Sequence, residues 1–324
     1  MTPVLVLGAS GFVGRRLVAA LAAEPDFRPI ALARRPSPGA APGVETRQAD
    51  ATDPAALAQA LQGVAMAVNC IAGGEDAMVG ATRHLCDAAP AAGVRRLVHL
   101  SSMAVYGPAT GTVDETRPMD PSLGAYARAK VEGERIVAAA AAAGTVEAVI
   151  LRPGCVHGAG SPQWTERMGR LLRQHRLGDL GAAGDGTCNL TYVDDLIAAI
   201  VAGLRRERAA GEAYNVSDPE PQSWNAYLLG LGRAIGAVPV TRISPRWLKI
   251  ETKLIAPAVT VAQRAASRLG PAIRLPACVP PSLARTFAQE IVLDHRRASA
   301  ELGFRRTPPE TALAAAAAWL RTRA

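Results

Sequence analysis

A tyrosine and a lysine four residues apart, in Tyr126-Ala127-Arg128-Ala129-Lys130, are the pair in this chain best suited to move a proton. Residues at i and i+4 of a helix share a face, so a helix over 126–143 places both side chains on one side. The spacing matters because a phenol of pKa about 10 must fall by about 3 units, or about 4 kcal/mol, to give up its proton near neutral pH. An ammonium about 4 Å away supplies about 4 kcal/mol at an effective dielectric constant of about 20. A hydroxyl that steadies the reacting oxygen is the natural third member. Ser102 offers one where the apolar run Leu97-Val98-His99-Leu100 ends in Ser101-Ser102. Together the three residues suit proton exchange between Tyr126 and a reacting oxygen that Ser102 orients.

The elements that must position such a reaction begin at the N-terminus. Val4-Leu5-Val6-Leu7 is a β-type apolar run, followed by Gly8-Ala9-Ser10-Gly11-Phe12-Val13-Gly14 and by Leu17, Val18 and Leu21 at helical spacing. A strand, a glycine turn and a helix in that order form a dinucleotide-binding unit. Gly8 permits the tight turn, Gly11 lets backbone approach a pyrophosphate, Gly14 lets helix and strand pack closely, and the helix N–H groups of the Ser10 to Gly14 stretch face the anion. Further β–α alternation follows, with strands expected at 29–33, 44–48, 65–70 and 97–100 and helices at 53–61, started by Asp53-Pro54, and 76–92. It predicts an α/β fold built on a doubly wound parallel sheet.

The second strand ends in Arg34-Arg35, where an NAD-selective unit places Asp or Glu. A guanidinium pairs with a ribose 2′-phosphate, so NADP is expected over NAD; the alternative is a bare surface loop beginning Pro36-Ser37-Pro38-Gly39. Asp50 stands where an adenine amino group would be met, and Ala72, in the turn Ile71-Ala72-Gly73-Gly74, leaves room for a cofactor.

With 324 residues, 49% hydrophobic and 20% charged, the chain suits a large folded core. The net charge of +8 comes from scattered Arg residues without interleaved aromatics, so nucleic acid is not an expected partner. Five Cys without a Cys-x-x-Cys pair and five unclustered His point to a reduced, metal-free protein. No stretch reaches the roughly 18 apolar residues of a spanning helix, and no basic segment precedes the N-terminal apolar run, so a cytoplasmic protein without membrane insertion is expected.

These motifs resemble the extended short-chain dehydrogenase/reductases, specifically the NAD(P)-dependent epimerase/dehydratase family. The resemblance rests on Gly8-x-x-Gly11-x-x-Gly14, on Ser102 before Val105-Tyr106-Gly107, and on Tyr126-x-x-x-Lys130. Leu151-Arg152-Pro153-Gly154-Cys155-Val156-His157-Gly158, Tyr192-Val193-Asp194-Asp195-Leu196 and Tyr214-Asn215-Val216 agree with it. It implies a Rossmann core over 1–155 and mainly a substrate-binding lobe over 156–324, with 188–217 returning to the core. Pro153 would lie at the cofactor, Met103 and His157 at the substrate, and a homodimer is its usual assembly. Met103-Ala104 stands where sugar dehydratases carry Asp-Glu, which disfavours dehydration, and the basic end of the second strand puts simple epimerisation in doubt.

The remaining chain offers fewer signals. Gly160 to Trp164 and the following Met168, Leu171 and Leu172 suit a loop and helix over the site. Arg167, Arg170, Arg173 and Arg176 suit either a diphosphate contact, with Arg173 as a substrate ligand, or a solvated face. Asp194-Asp195 is expected to cap a helix. Residues 247–268 mix apolar and basic side chains; a membrane-surface helix is possible, but Pro257 interrupts it and a lid or packing role is expected. Residues 298–319 suit a terminal helix pair. The resulting expectation is an NAD(P)-dependent oxidoreductase or epimerase acting on a nucleotide-activated sugar. The alternatives are an NADPH-dependent reductase of an apolar carbonyl compound, resembling steroid dehydrogenases or dihydroflavonol reductases, and a non-catalytic NADP-sensing or nucleic-acid-binding module. A pocket lined by Arg would favour the sugar, and one lined by Leu, Ile and Met the apolar carbonyl.

Overall fold

Strand β1 (Thr2–Leu7) is buried through Val4, Leu5, Val6 and Leu7, as its unbroken apolar run requires of a strand covered on both faces. It leads through the glycine turn into helix α1 (Phe12–Ala22) and then β2 (Phe27–Ala33), β3 (Glu45–Gln48), α2 (Pro54–Ala60), β4 (Met66–Asn69), α3 (Glu75–Ala92) and β5 (Arg96–Leu100). The computed structural model describes residues 1–35, 43–218, 220–266 and 277–323, so the expected loop after Arg35 lies outside the described residues. Asp53 caps α2 as expected, its carboxylate accepting from the N–H groups of Ala55 and Ala56.

After β5 come the short strand β6 (Gly111–Val113), helix α4 (Ala125–Ala142), which carries Tyr126 and Lys130, and β7 (Glu147–Pro153). Next are β8 (Cys155–His157), α5 (Arg167–Arg173), β9 (Thr187–Cys188), β10 (Leu190–Tyr192), α6 (Val193–Arg205), β11 (Glu212–Val216), β12 (Gln222–Ser223) and α7 (Trp224–Ala234). The chain ends through α8 (Pro245–Ile250), α9 (Ala256–Ala266), α10 (Pro281–Phe287), β13 (Ile291–Leu293) and α11 (Pro309–Arg321).

Seven parallel strands form one sheet in the order β11-β7-β5-β4-β1-β2-β3. The chain moves outward from β1 through β2 and β3 and then returns to β4 on the other side of β1. This reversal opens a crevice at the carboxyl ends of β1 and β4. Alternate residues face opposite layers. Val4, Val6, Val68 and Val98 pack with Leu17 and Leu21 of α1 and Leu196 and Ile200 of α6, while Leu5, Leu7 and Leu97 pack with Leu57, Leu85 and Val137. Burying each such side chain contributes about 1.5–3 kcal/mol.

A separate apolar cluster joins α5, α7, α10 and α11 through Met168, Leu171, Trp224, Leu231, Phe287 and Leu320. Beside the central sheet, β8 pairs with β10 and β6 with β13 in two separate, parallel two-stranded ladders. Asp194 and Asp195 fall in the first turn of α6 but do not cap it. Asp194 pairs with Arg16 at 2.8 Å, and Asp195 accepts from the Thr307 N–H and hydroxyl at 2.8 and 2.6 Å. At the C-terminus the expected helix pair is a π-helical turn, Ala298–Leu302, followed by α11.

Helical backbone also runs through Pro257, correcting the expected interruption. A π-helical turn, Glu251–Ile255, joins α8 to α9, and Pro257 stands just beyond it. The hydrogen-bond register changes there, so a missing N–H is tolerated. The last two residues of the expected 247–268 segment lie outside the described residues.

Candidate active site

Ser102 closes β5 and caps the short 3₁₀ turn Met103–Tyr106, its Oγ accepting from the Ala104 N–H at 3.2 Å. Tyr126 stands in the first turn of α4, is 47% exposed, and lines the same cavity as Ser102. Burial of the hydroxyl end raises the phenol pKa, and the hydrogen bond from Ser102 opposes that rise. Lys130, one turn later, is buried and donates to the Leu100 carbonyl at 2.6 Å. Its Nζ lies 5.8 Å from the centre of the Tyr126 ring.

The carbonyl at the end of β5 holds the ammonium behind the Tyr126 ring, and with the hydroxyl buried the phenol pKa lies above its ordinary value. Burial pushes Lys130 itself down to about 8, opposed by nearby Cys70 and Glu134.

Glu134 lies one further turn along α4 and is buried with Arg152 of β7. Arg152 Nη2 donates to Glu134 Oε2 at 2.6 Å and its Nε to Oε1 at 2.9 Å. The Ser101 hydroxyl donates to the same carboxylate. Arg152 also reaches the Tyr106 hydroxyl at 2.9 Å, which donates to Asn215 Oδ1 at 2.6 Å. The hydrogen-bonded set joins α4, β5, β7 and β11 beneath the site.

Ser102 and Tyr126 open onto a cavity of about 530 Å³. Met103, Leu123, Val156, Trp164 and Leu283 give it a largely apolar wall, with Pro153 and Gly154 at the strand end and Arg285 from α10 as the cation of the described lining. Another space, of about 640 Å³, lies between α1 and α6, away from these hydroxyls.

The remaining expected residues divide clearly. Met103 lines the cavity. His157 does not: it is buried beside Tyr192 and Tyr227, with burial pushing its pKa down to about 4. Arg173 donates to the Leu320 carbonyl at 2.9 Å, Arg167 to the Cys278 carbonyl at 3.2 Å, and Arg176 pairs with Glu251 at 2.5 Å. These arginines bind the lobe together outside the cavity lining. Sequence reasoning missed the wall from α10, including Leu283, Arg285 and Thr286, whose only local signal is the Pro280-Pro281 helix start.

The glycine turn fits a dinucleotide. Gly8 adopts φ +75°, and a Cβ on Gly14 would meet the Gly8 carbonyl oxygen at 2.2 Å. The first N–H groups of α1 have no side-chain cap, leaving Ser10, Gly11, Phe12 and Val13 around an open helix start at the crevice. Ala72 is exposed beyond β4. Arg34 and Arg35 are exposed at the end of β2. Asp50, after β3, bonds to Thr52, and these bonds keep its carboxyl below the usual range, with a smaller contribution from Arg34.

A family model described as the NAD dependent epimerase/dehydratase family matches residues 4–217, from β1 to the residue after β11. The chain belongs to that family. Members of the wider family have diverse names. The chain is 32% identical to 2'-dehydrokanamycin reductase of Streptomyces kanamyceticus, over 72% of this chain and 66% of that protein. It is 31% identical to 2-alkyl-3-oxoalkanoate reductase of Stenotrophomonas maltophilia, over 72% of this chain and 76% of that protein. The chain spans only 44 to 66% of the length of four of its curated relatives. Among solved structures, UDP-glucuronic acid 4-epimerase from Bacillus cereus in complex with NAD shares the fold with a TM-score of 0.75 at 20% identity, covering 99% of this chain and 97% of that one.

Proposed function

We propose that this member of the epimerase/dehydratase family interconverts a secondary alcohol and a ketone using a nicotinamide nucleotide. The observation that carries the reading is that Ser102 and Tyr126 line one cavity, beside a glycine turn with an uncapped helix start. The nucleotide would rest on Gly8, Gly11 and the start of α1 and would supply or accept hydride. Ser102 holds the reacting oxygen. Tyr126 exchanges a proton with that oxygen, and its raised pKa keeps the phenol protonated near neutral pH, the form that donates during ketone reduction. Lys130 places a buried positive charge behind the phenol and, through Leu100, fixes α4 against β5.

Arg34 and Arg35 support NADP as the preferred nucleotide, since both guanidinium groups are exposed at the end of β2. The wall formed by Met103, Leu123, Val156, Trp164 and Leu283 supports a carbonyl substrate with apolar flanks, the reading that the sequence ranked second. A nucleotide-activated sugar has one feature in its favour, Arg285, which suits a phosphate.

The test is to follow NADPH and NADH oxidation by the purified protein against a panel of apolar ketones and nucleotide-activated 4-keto sugars, using wild type and Tyr126→Phe. Turnover that Tyr126→Phe abolishes while nucleotide binding is retained supports the reading. Undiminished turnover in Tyr126→Phe overturns it.

A further inference from the structure

The run through α8, the π-helical turn and α9 has an outer face that the active site does not use. Trp247, Ile250, Leu254 and Val261 are 41%, 43%, 66% and 66% exposed and recur at helical spacing as one stripe. None of them lines the cavity, so they do not form the expected pocket cover. Leu248, Glu251, Thr252 and Ala256 face inward.

Charge is distributed just as unevenly. Arg246, Lys249 and Lys253 are exposed, each immediately preceding a member of the stripe, and thus form a cationic row along its edge. Glu251 is the sole acid between 245 and 262; it is buried and paired with Arg176. The outward side therefore combines apolar side chains and cations without an exposed carboxylate.

We propose that this face adsorbs to a lipid bilayer bearing anionic headgroups. An interfacial helix needs apolar side chains that enter the headgroup boundary and flanking cations whose stems reach back to the lipid phosphates. Trp247 supplies the amphipathic ring favoured at such boundaries. The net charge of +8 attracts the whole chain to the same surface. Helix α10, which forms one wall of the cavity, packs against the π-helical turn, so adsorption brings the apolar cavity close to the membrane.

The experiment is flotation of the 324-residue chain with phosphatidylcholine vesicles and with phosphatidylcholine/phosphatidylglycerol vesicles, at low and high salt. Wild type is expected to float with the anionic vesicles, less at high salt, and not with the neutral ones. Neutralising Lys249 and Lys253 to Gln weakens partition about fivefold per cation. Leu254→Ser, and separately Ile250→Glu with Leu254→Glu, weaken it by about tenfold or more. Thermal melts and NADPH titration verify that each variant is folded. Absence of wild-type flotation, equal flotation with neutral vesicles, or variants that float like wild type overturn the proposal. Loss of a self-associated species in the variants, without vesicle binding by wild type, overturns it in favour of an interface between copies of this chain.

Discussion

Glu134, on the helix that carries Tyr126 and Lys130, meets Arg152 of β7 at 2.6 Å, with side chains only 3% and 6% exposed. Burial works against the Arg152 charge, but the bonds and charge of Glu134 more than offset it and hold the guanidinium above its ordinary pKa. Removing one partner strands the other. Glu134→Leu and Arg152→Met are each expected to cost about 3–5 kcal/mol, whereas the two together cost less than either single change because no unpaired charge remains. Urea unfolding of wild type, the two single variants and the double variant checks this. Additive losses would mean that the pair does not act as a unit.

The glycines of the first turn separate into two roles. A Cβ on Gly14 would lie 2.2 Å from the Gly8 carbonyl oxygen and 2.8 Å from Ala9 Cα, so Gly14→Ala is expected to lower stability by several kcal/mol, roughly as overpacked cores do at their worst. Gly11 has φ −75°, and its Cβ would meet only the Gly8 carbonyl oxygen, at 3.2 Å. Gly11→Ala should fold with a melting temperature near wild type and lose affinity for NADPH. Melting curves and nucleotide titration distinguish the two, and equal NADPH affinity in Gly11→Ala would remove its assigned role.

The central sheet was legible because its signals are local. Apolar runs specify buried strands, Asp53-Pro54 specifies the start of α2, and the glycine turn specifies the strand-to-helix passage. The position of Lys130 was not legible, since its ammonium is held by a main-chain carbonyl at the end of β5, and no side-chain type in the sequence reveals that. Glu134 gains its role only when the fold sets Arg152 of β7 against it, and no spacing in the sequence marks that pairing. The α10 wall comes from far along the chain and has no motif. His157 missed the cavity because β8 carries it to the buried side of the lobe, while Val156 faces the cavity.

The proposed preference for NADP rests on Arg34 and Arg35, exposed at the end of β2. Each charge-assisted bond to a 2′-phosphate contributes about 1.5–3 kcal/mol, so Arg34→Ala with Arg35→Ala should weaken NADPH binding by at least about tenfold. NADH binding should change little, because its ribose has no phosphate for the guanidinium groups to meet. Parallel fluorescence titrations measure both. An equal loss for NADH and NADPH would show that the arginines do not read the 2′ position.

Two buried histidines make stability pH-dependent. Burial, with a smaller contribution from the Lys130 charge, pushes His99 down to about 3, and burial pushes His157 down to about 4, from an ordinary value of 6.5. Between these values and 6.5 the unfolded chain binds protons that the folded chain does not. Stability is therefore full above pH 6.5 and is lost as pH falls toward 4, on the order of 3 kcal/mol for His157 alone. His157→Phe keeps an aromatic ring between Tyr192 and Tyr227 but cannot titrate. Its unfolding free energy should fall less steeply between pH 7 and pH 4 than that of wild type. Parallel pH dependences for the two proteins would mean that the His157 ring is charged in the folded state, at odds with its burial beside two aromatic rings.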